Sequence, residues 1–310
     1  MESLERSVGA LLGLAAGDAL GAPLAFLSPE QVPIKHGDVR DMIGGGWLDL
    51  RPGQGTDLAE MALVLAGILA EADGLDRLDV AMRYVEIYER GGPSLDNVTQ
   101  AALGAIASGT AVGEASRAAV EATGEDGRTN APLVRALPLA LRFPRDDAAL
   151  IAAVESEASI THAADESRAA AAIAALFLAR LLRGASGFDA VFEEVEAVVR
   201  SSSFPLPDVL SPVRDMVERD LRDSGDAVDT LERALFSLYW CESLEDAVLR
   251  SVRRGGAAPV TGAITGSLAG AFFGVSSIPD RWLRVLERRR AIEATARRLH
   301  ERASAPGAAR

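Results

Sequence analysis

The chain has 310 residues, of which 48% are hydrophobic and 25% charged, the composition of a soluble globular protein that can hold a core without a disulfide or zinc. The 32 Lys and Arg against 45 Asp and Glu give a formal net charge of −13, which disfavours nucleic acid and anionic membranes as partners because like charges repel. Its one cysteine, Cys241, excludes an internal disulfide, so we expect a reducing, cytoplasmic compartment.

Apolar residues recur at intervals of three and four along the whole chain, which is the helical period. The first predicted helix places Val8, Leu11 and Ala15 on one face. Asp18 interrupts its apolar run, and no other run reaches the roughly 20 residues of a membrane span, so we expect neither a signal peptide nor a membrane segment. Further helices are predicted over Met61–Leu69, Leu78–Tyr88, Asn97–Ala107, Pro132–Leu141, Ala148–Ile160, Ser167–Leu182, Val191–Val199, Val209–Leu221, Ala227–Trp240, Leu244–Val252 and Trp282–His300.

The fold class follows from the helical period together with the lack of strand-like segments in the sequence. Aromatic residues are only 5% of the chain, and we find no set of short β-branched or aromatic runs with the period of two that strands require. The Gly and Pro clusters between the predicted helices are too short to be linkers between domains. We therefore predict one all-α domain over residues 1–302, with a flexible tail over residues 303–310.

A carboxylate lies in a run of small residues near the end of the first predicted helix. The run is Gly13 to Gly21, with Asp18 in its middle. A buried aspartate requires polar partners. One interpretation is that Gly17 and Gly21 allow close packing while Asp18 caps neighbouring backbone amides, and the other is that Asp18 belongs to a functional site.

The segment Gly53 to Met61 places two oxygen-bearing side chains at the start of a helix. Thr56 and Asp57 are ligand types that hard metal ions prefer. The spacing of Asp57 and Glu60 also matches a helix N-cap with its capping-box partner, and this second interpretation is favoured.

A third segment, Arg253 to Thr261, combines a glycine turn with a proline near the start of a helix. The backbone amides of Gly255 and Gly256 are candidates to receive a phosphate, although a glycine pair alone is a weak signal. The 3 histidines have no cysteine or aspartate constellation around them, and we interpret them as structural. No GxSxG context supports a hydrolytic triad.

Taken in order, these segments resemble the ADP-ribosylglycohydrolase family over nearly the whole chain. Gly13 to Gly21 is similar to the opening G-x-x-x-G-D-x-x-G of the family, and Gly53 to Ala59 lies where the family has G-Q-x-T-D-D-T. Ser159 to His162 resembles its Ser-x-Thr-His junction, and Ala247 to Gly274 resembles its long glycine-rich ending. The resemblance implies a compact orthogonal helical bundle.

Active members of that family hold two Mg²⁺ or Mn²⁺ ions. The ligands come from the Thr-Asp-Asp run and from the aspartates and the threonine that follow the Gly-Gly pair. By this resemblance Thr56 and Asp57 remain, but Leu58 replaces the second carboxylate of the run. The four residues after Gly256 are also without a carboxylate or hydroxyl, namely Ala257, Ala258, Pro259 and Val260. Since each hard divalent ion needs about six oxygen ligands, we expect no bound metal here.

Two further segments of the family pattern are altered. A family carboxylate in a D-x-G aligns best with Ser94, and with a small shift Asp96 replaces it. The glycine-rich substrate loop of the family, G-N-G-x-x-M-R, corresponds here to residues 129–135, which read T-N-A-P-L-V-R. Asn130 and Arg135 are candidate ligand contacts by this resemblance.

The first hypothesis is therefore a degenerate ADP-ribosylglycohydrolase, a pseudoenzyme that binds ADP-ribose or a related nucleotide without metal-dependent hydrolysis. Asp18, Thr56, Asn130, Arg135, Gly255 and Gly256 are its candidate ligand-binding residues.

A second hypothesis is a hydrolase that cleaves an ADP-ribosyl or other N-glycosidic bond with a single metal or with none. Asp57, Asp96 or Asp18 is then the general acid or base. A buried, unpaired aspartate in the cleft supports this hypothesis, and aspartates capped by backbone amides count against it.

A third hypothesis is a structural or partner-binding protein. It is favoured if Leu58, Pro259 and Val260 fill the cleft.

Overall fold

The computed structural model describes residues 3–72, 74–201 and 210–305, and these residues form an all-α protein, which confirms the predicted fold class. The only β pairing in these three ranges is a pair of isolated bridges, Gly45 with Leu50 and Thr129 with Asp226. The helices are α1 (Ser3–Gly21), α2 (Gln31–His36), α3 (Asp57–Glu71), α4 (Arg77–Glu89), α5 (Asn97–Ala107), α6 (Val112–Thr123), α7 (Ala131–Arg135), α8 (Leu137–Arg142), α9 (Asp147–Ala158), α10 (Asp165–Leu182), α11 (Phe188–Ser201), α12 (Ala227–Tyr239), α13 (Leu244–Val252), α14 (Ala258–Phe273), α15 (Asp280–Val285) and α16 (Arg289–Ser304).

Most predicted helices are confirmed, but two of them are broken. The stretch 132–141 forms α7 and α8, which meet at Ala136, because Pro138 has no amide hydrogen with which to continue the helical ladder. The stretch 282–300 forms α15 and α16. Between them Arg288 has a φ of +58°, and the amide of Glu287 donates to the carbonyl of Gly53, so a tertiary hydrogen bond replaces the helical one.

The prediction of a helix over Val209–Leu221 is wrong for the part that is described. Val209 lies outside the described residues, and the rest forms turns and a 3₁₀ helix, Glu218–Asp220. The carbonyls of Glu218 and Leu221 accept hydrogen bonds from the side chain of Arg254. These hydrogen bonds attach the end of the segment to the residues that follow α13. Of the tail predicted over residues 303–310, Ala303 and Ser304 are the last residues of α16, and residues 306–310 lie outside the described residues.

The first and fourteenth helices pack antiparallel along a line of glycines. Gly9, Gly13 and Gly17 on α1 face Gly270, Gly266 and Gly262 on α14. A Cβ atom on Gly13 would lie 2.0 Å from the carbonyl oxygen of Gly266, and one on Gly266 would lie 2.1 Å from that of Gly13. We call this contact the glycine seam. It brings two backbones closer than any side chain allows.

The glycine seam runs to the end of α1 that carries Asp18. There Gly21 lies against Ala258, where a Cβ on Gly21 would be 2.3 Å from the Ala258 carbonyl oxygen. The C-terminal end of α1 and the N-terminal end of α14 are therefore adjacent. The predicted role of Gly17 and Gly21 in close packing is confirmed.

Helix α10 runs through the interior and is buried from Ala169 to Leu182. It contacts α7, α8, α9, α11, α12 and α14. Among the described residues, Ser3–Leu24 is long and apolar enough by composition to cross a membrane, but its apolar window is 100% buried within the protein. In this structure that segment serves as a core helix.

We expect Gly13→Ala to lower the free energy of unfolding by roughly 2–4 kcal/mol, because the added methyl group cannot be accommodated without separating α1 from α14. Gly67→Ala on α3 is the matched control, since nothing lies within 4 Å of its added Cβ. That change should stabilise the protein by about 0.5–1 kcal/mol through helix propensity. Urea denaturation followed by circular dichroism measures both, and equal effects would contradict the glycine seam.

Candidate functional site

A cavity of about 450 Å³ lies where the N-terminal ends of α3, α5, α7 and α14 approach the segment that follows α1. Its polar lining includes carboxylates, amides and hydroxyls, among them Thr56, Asp96, Asn97, Glu125 and Asn130. We call it the central cavity. At the starts of α3 and α5, Asp57 and Asp96 offset the partial positive charge of the helix ends.

Asp18 lies behind the wall of the central cavity and is only 1% exposed. One carboxylate oxygen accepts the backbone N–H of Thr56 at 2.6 Å, and the other accepts the Thr56 hydroxyl at 2.8 Å. Burial raises the pKa of Asp18 to about 7, although the two hydrogen bonds from Thr56 act in the opposite direction. The interpretation that Asp18 caps a backbone amide is confirmed, and the amide is in the loop before α3.

Asp57 is the first residue of α3, and its side chain pairs with Ser94. The Asp57 carboxylate accepts the Ser94 backbone N–H at 2.8 Å and the Ser94 hydroxyl at 2.6 Å, while the Ser94 hydroxyl oxygen accepts the Asp57 N–H at 2.7 Å. The predicted capping box is wrong, since the N-cap residue is Thr56 and Glu60 pairs with Arg90. The carboxylate is satisfied from the loop before α5 instead.

Asp96 caps α5 and lines the central cavity. It accepts the Thr99 backbone N–H at 3.1 Å, the Thr99 hydroxyl at 2.6 Å and the Thr129 hydroxyl at 3.1 Å. Burial opposes ionisation of Asp96, but the nearby His162 and the Thr99 donors outweigh it and hold the pKa below its ordinary value. Asp96 is therefore a carboxylate at neutral pH.

A chain of buried hydrogen bonds runs from Asp96 into the core. Thr129 donates to Asp96, so its oxygen accepts from His162 Nε2 at 2.6 Å. The other ring nitrogen, Nδ1, lies 2.8 Å from the Thr161 hydroxyl, which accepts from Arg135 at 2.8 Å. These directions fit a neutral His162 with its proton on Nε2.

Burial accounts for that protonation state. It lowers the pKa of His162 to about 4, and the charge of Asp96 offsets this only in part. The predicted structural role of this histidine agrees with its complete burial.

Arg135 does not line the central cavity. Its side chain is 0% exposed and forms an ion pair with Glu157 at 2.8 Å. Tyr84 donates to the same Glu157 oxygen at 2.9 Å, and its ring lies 5.4 Å from the Arg135 guanidinium carbon. Arg135 thus supports Thr161 and the histidine behind the cavity wall.

The remaining three predicted binding residues lie at the central cavity or beside it. Asn130 lines it and donates to the Thr230 hydroxyl at 2.9 Å. The amide of Gly255 donates to the carbonyl of Val252, and the amide of Gly256 donates to that of Leu27 at 2.8 Å. Both glycine amides are therefore engaged within the protein, and neither is available to receive a phosphate.

The Gly-Gly pair has a packing role. A Cβ on Gly255 would lie 2.1 Å from the Leu27 carbonyl oxygen, and φ is +69° at Gly255 and +55° at Gly256. The carbonyl of Gly256 accepts the N–H of Phe26 at 2.9 Å. Glycine is required here for the close approach of the segment after α1.

The groups around the central cavity do not fit a pair of hard metal ions. Leu58, Ala257, Pro259 and Val260 present carbon atoms to it. The Thr56 hydroxyl donates to Asp18, and Ser94 donates two hydrogen bonds to one oxygen of Asp57, so the carboxylates that remain nearby already have partners within the protein. Across the described residues, no group of three or more His, Cys, Asp or Glu side chains is placed to hold a metal ion.

Two aromatic residues at the central cavity were not identified from the sequence. Phe26 is 76% exposed and Trp47 is 52% exposed. Their ring centroids are 5.4 Å apart in an edge-to-face arrangement. The available signal was an aromatic residue directly after the glycine run 44–46, which the helical periodicity did not highlight.

The comparisons with known proteins agree with this architecture. The sequence profile of the family described as ADP-ribosylglycohydrolase matches residues 1–309. ADP-ribosyl-[dinitrogen reductase] glycohydrolase of Rhodospirillum rubrum is 32% identical over 285 residues, covering 91% of this chain and 90% of that protein. ADP-ribosylarginine hydrolase Tri1 of Serratia proteamaculans is 31% identical over 294 residues, covering 91% and 75%. A solved structure titled ADP-ribosylglycohydrolase-related protein complex has a TM-score of 0.80 at 33% identity, covering 97% of this chain and 98% of that one.

The neutral His162 makes stability depend on pH. Its pKa is near 6.5 in the unfolded chain and about 4 in the folded protein, so the unfolded state binds more protons as the pH falls between these values. The contribution of His162 is complete above pH 6.5 and is lost progressively toward pH 4. From pH 7.5 to 5.0 we expect a loss of about 2 kcal/mol from this residue.

The test compares urea unfolding of the wild type and of His162→Gln at both pH values. Glutamine keeps a donor for Thr129 and does not titrate, so the variant should lose about 2 kcal/mol less than the wild type over this interval. The readout is the difference between the two pH dependences, which stands even if the variant is less stable at every pH. Equal losses would show that His162 does not titrate as described.

Proposed function

Since the chain belongs to the ADP-ribosylglycohydrolase family, we propose that it is a member without the dinuclear metal site, and that it binds ADP-ribose or a related nucleotide without metal-dependent hydrolysis. The observation that carries this proposal is the wall of the central cavity. Leu58, Pro259 and Val260 present hydrocarbon at positions where the family pattern has oxygen ligands. Hydrocarbon cannot supply the charge with which a metal ion polarises a sugar or activates water.

The polar residues of the family pattern that remain in this chain form hydrogen bonds with other residues of the protein. Thr56 is bound to Asp18, and Asp57 is bound to Ser94. The Ser94 hydroxyl donates a hydrogen bond to the Asp57 carboxylate, whereas a second carboxylate at this position would repel it. The substitution at Ser94 therefore suits a site in which no cation holds the acidic groups together.

A metal-independent hydrolase is supported less well. Each of Asp18, Asp57 and Asp96 accepts a backbone N–H, from Thr56, Ser94 and Thr99 respectively. Asp96 also has a lowered pKa, which makes it a poor proton donor at neutral pH. Asp18 has a pKa near 7 but is 1% exposed and does not line the central cavity.

A purely structural role is also supported less well, because the space is retained. Leu58 and Val260 are 6% and 7% exposed and line the central cavity without filling it. A volume of about 450 Å³ lies in the range of small-molecule sites. Amide side chains at Asn97, Gln100 and Asn130 offer hydrogen bonds to sugar or base atoms.

We expect ADP-ribose to bind with the same Kd, within about twofold, in EDTA and in excess Mg²⁺ at a matched, high ionic strength, because no protein-bound metal contributes. Calorimetric titration of the full chain measures this. The same protein incubated with ADP-ribosylarginine and Mn²⁺ should release no ADP-ribose.

The outcomes of these two measurements distinguish the proposed function from its alternatives. Binding only in Mg²⁺, or release of ADP-ribose only in Mn²⁺, would overturn the loss of the metal site. Release in EDTA would favour the metal-independent hydrolase. An absence of heat in both buffers would remove ADP-ribose as the ligand.

Asp57→Ala separates binding from metal-free catalysis. The variant leaves the Ser94 N–H and hydroxyl without their acceptor, so we expect the free energy of unfolding to fall by about 1–3 kcal/mol. The ADP-ribose Kd should rise by no more than a few fold. Asp79→Ala is the control, since this carboxylate is exposed and 3.7 Å from Arg83, and its loss should cost less than about 0.5 kcal/mol. Any turnover by the wild type that Asp57→Ala abolishes would instead make Asp57 a catalytic residue.

A further inference from the structure

Phe26 is held in a conformation that stability alone does not explain. Its φ is +64°, a left-handed conformation that is strained for an aromatic residue. Its side chain is 76% exposed, so the ring gains little from burial. A strained backbone that presents an apolar ring to solvent indicates a functional role for the ring.

The surrounding backbone holds this conformation in place. The N–H of Phe26 donates to Gly256, and the N–H of Gly256 donates to Leu27. This reciprocal pair joins the segment after α1 to the start of α14. The Phe26 side chain is therefore attached to a fixed backbone, which lowers the entropy lost when a ligand binds to it.

Trp47 is presented in a comparable way by a tight turn. Gly44, Gly45 and Gly46 have φ values of +65°, +78° and +71°, and Gly45 exchanges two backbone hydrogen bonds with Leu50. A Cβ on Gly46 would lie 2.7 Å from the Cα of Pro23. This contact places the Trp47 ring beside Phe26, and both rings border the central cavity.

The charges of the central cavity restrict what these rings can bind. Of its described lining residues, Asp96 and Glu125 are acidic, and none is Lys, Arg or His. Asp57 and Asp96 lie at the starts of α3 and α5, where they already offset the positive helix ends. A pyrophosphate finds little attraction here, whereas ribose hydroxyls can donate to the carboxylates.

On the basis of the proposed function, we propose that Phe26 and Trp47 form a stacking surface for the base of a nucleoside, and that the central cavity recognises the nucleoside part of its ligand and not the pyrophosphate. The base stacks on the exposed aromatic surface, and the ribose hydroxyls reach Asp96 and Glu125. The ligand class is thus a purine or pyrimidine nucleoside, free or as one end of a dinucleotide-like molecule.

The experiment is a set of calorimetric titrations in EDTA with adenosine, ADP-ribose and ribose 5-phosphate. Adenosine should bind at least as tightly as ADP-ribose, and ribose 5-phosphate, which has no base, should bind at least about tenfold more weakly. ADP-ribose binding should strengthen as salt is raised from low ionic strength, because salt screens repulsion between its phosphates and the two carboxylates.

Phe26→Leu and Trp47→Leu keep an apolar side chain but remove the ring. Each should weaken adenosine binding by about tenfold, in line with the contribution of base stacking. Trp240→Leu is the matched control, because Trp240 is 48% exposed and lies outside the central cavity, and it should leave the affinity unchanged. Thermal melting of each variant confirms that it is folded.

The outcomes separate this inference from the proposed function. If the wild type binds ADP-ribose and both leucine variants bind adenosine as tightly as the wild type does, the stacking surface is wrong and the proposed function stands. The same conclusion follows if the wild type binds ADP-ribose and ribose 5-phosphate binds as well as adenosine. If the wild type binds none of the three probes, the proposed function fails and this inference fails with it.

Discussion

The contact between α1 and α14 is the constraint on which the rest of the structure depends. Three pairs of glycines bring the two backbones together, with Gly13 and Gly266 at the middle of the seam. Because the helices are antiparallel, this contact puts the end of α1 beside the start of α14. The segment after α1, which contains Phe26, therefore lies against the Gly255–Gly256 pair, where two backbone hydrogen bonds join them. Side chains larger than hydrogen along the seam would separate the two halves of the central cavity.

Beside this helix contact, the acidic groups of the site accept hydrogen bonds from other residues of the protein. Threonine and serine supply both a backbone N–H and a hydroxyl to each of three aspartates, with Thr56 for Asp18, Ser94 for Asp57 and Thr99 for Asp96. Such pairs stabilise buried carboxylates without a cation. Carboxylate and hydroxyl oxygens of this kind are also the ligands that a divalent ion prefers. Stability and metal affinity therefore draw on the same groups.

Predictions from the sequence agree with the structure where a feature depends on neighbouring residues, and they fail where it depends on a residue far away in the chain. The predicted bounds of α5 and α13 match the structure at both ends. The apolar period of each helix and its polar N-cap, Asp96 or Ser243, lie in consecutive residues, so the local sequence is sufficient to define the helix. The break before α16 was not predicted, since it depends on a hydrogen bond between Glu287 and the distant Gly53. The capping box at Asp57 failed for the same reason, because the spacing was compatible with it but the Asp57 carboxylate accepts its hydrogen bonds from the distant Ser94.

By itself, the sequence determined the all-α class and the family, because both depend only on residue identity and order. It also places Leu58, Pro259 and Val260 where the family pattern has oxygen-bearing residues, which is the basis of the proposed loss of the metal site. The tertiary structure decided which polar groups face the central cavity. It buried Arg135 against Glu157, engaged the amides of Gly255 and Gly256, and exposed Phe26 and Trp47. Hydrogen bonding and burial depend on distances between segments far apart in the chain, and the order of residues does not contain those distances.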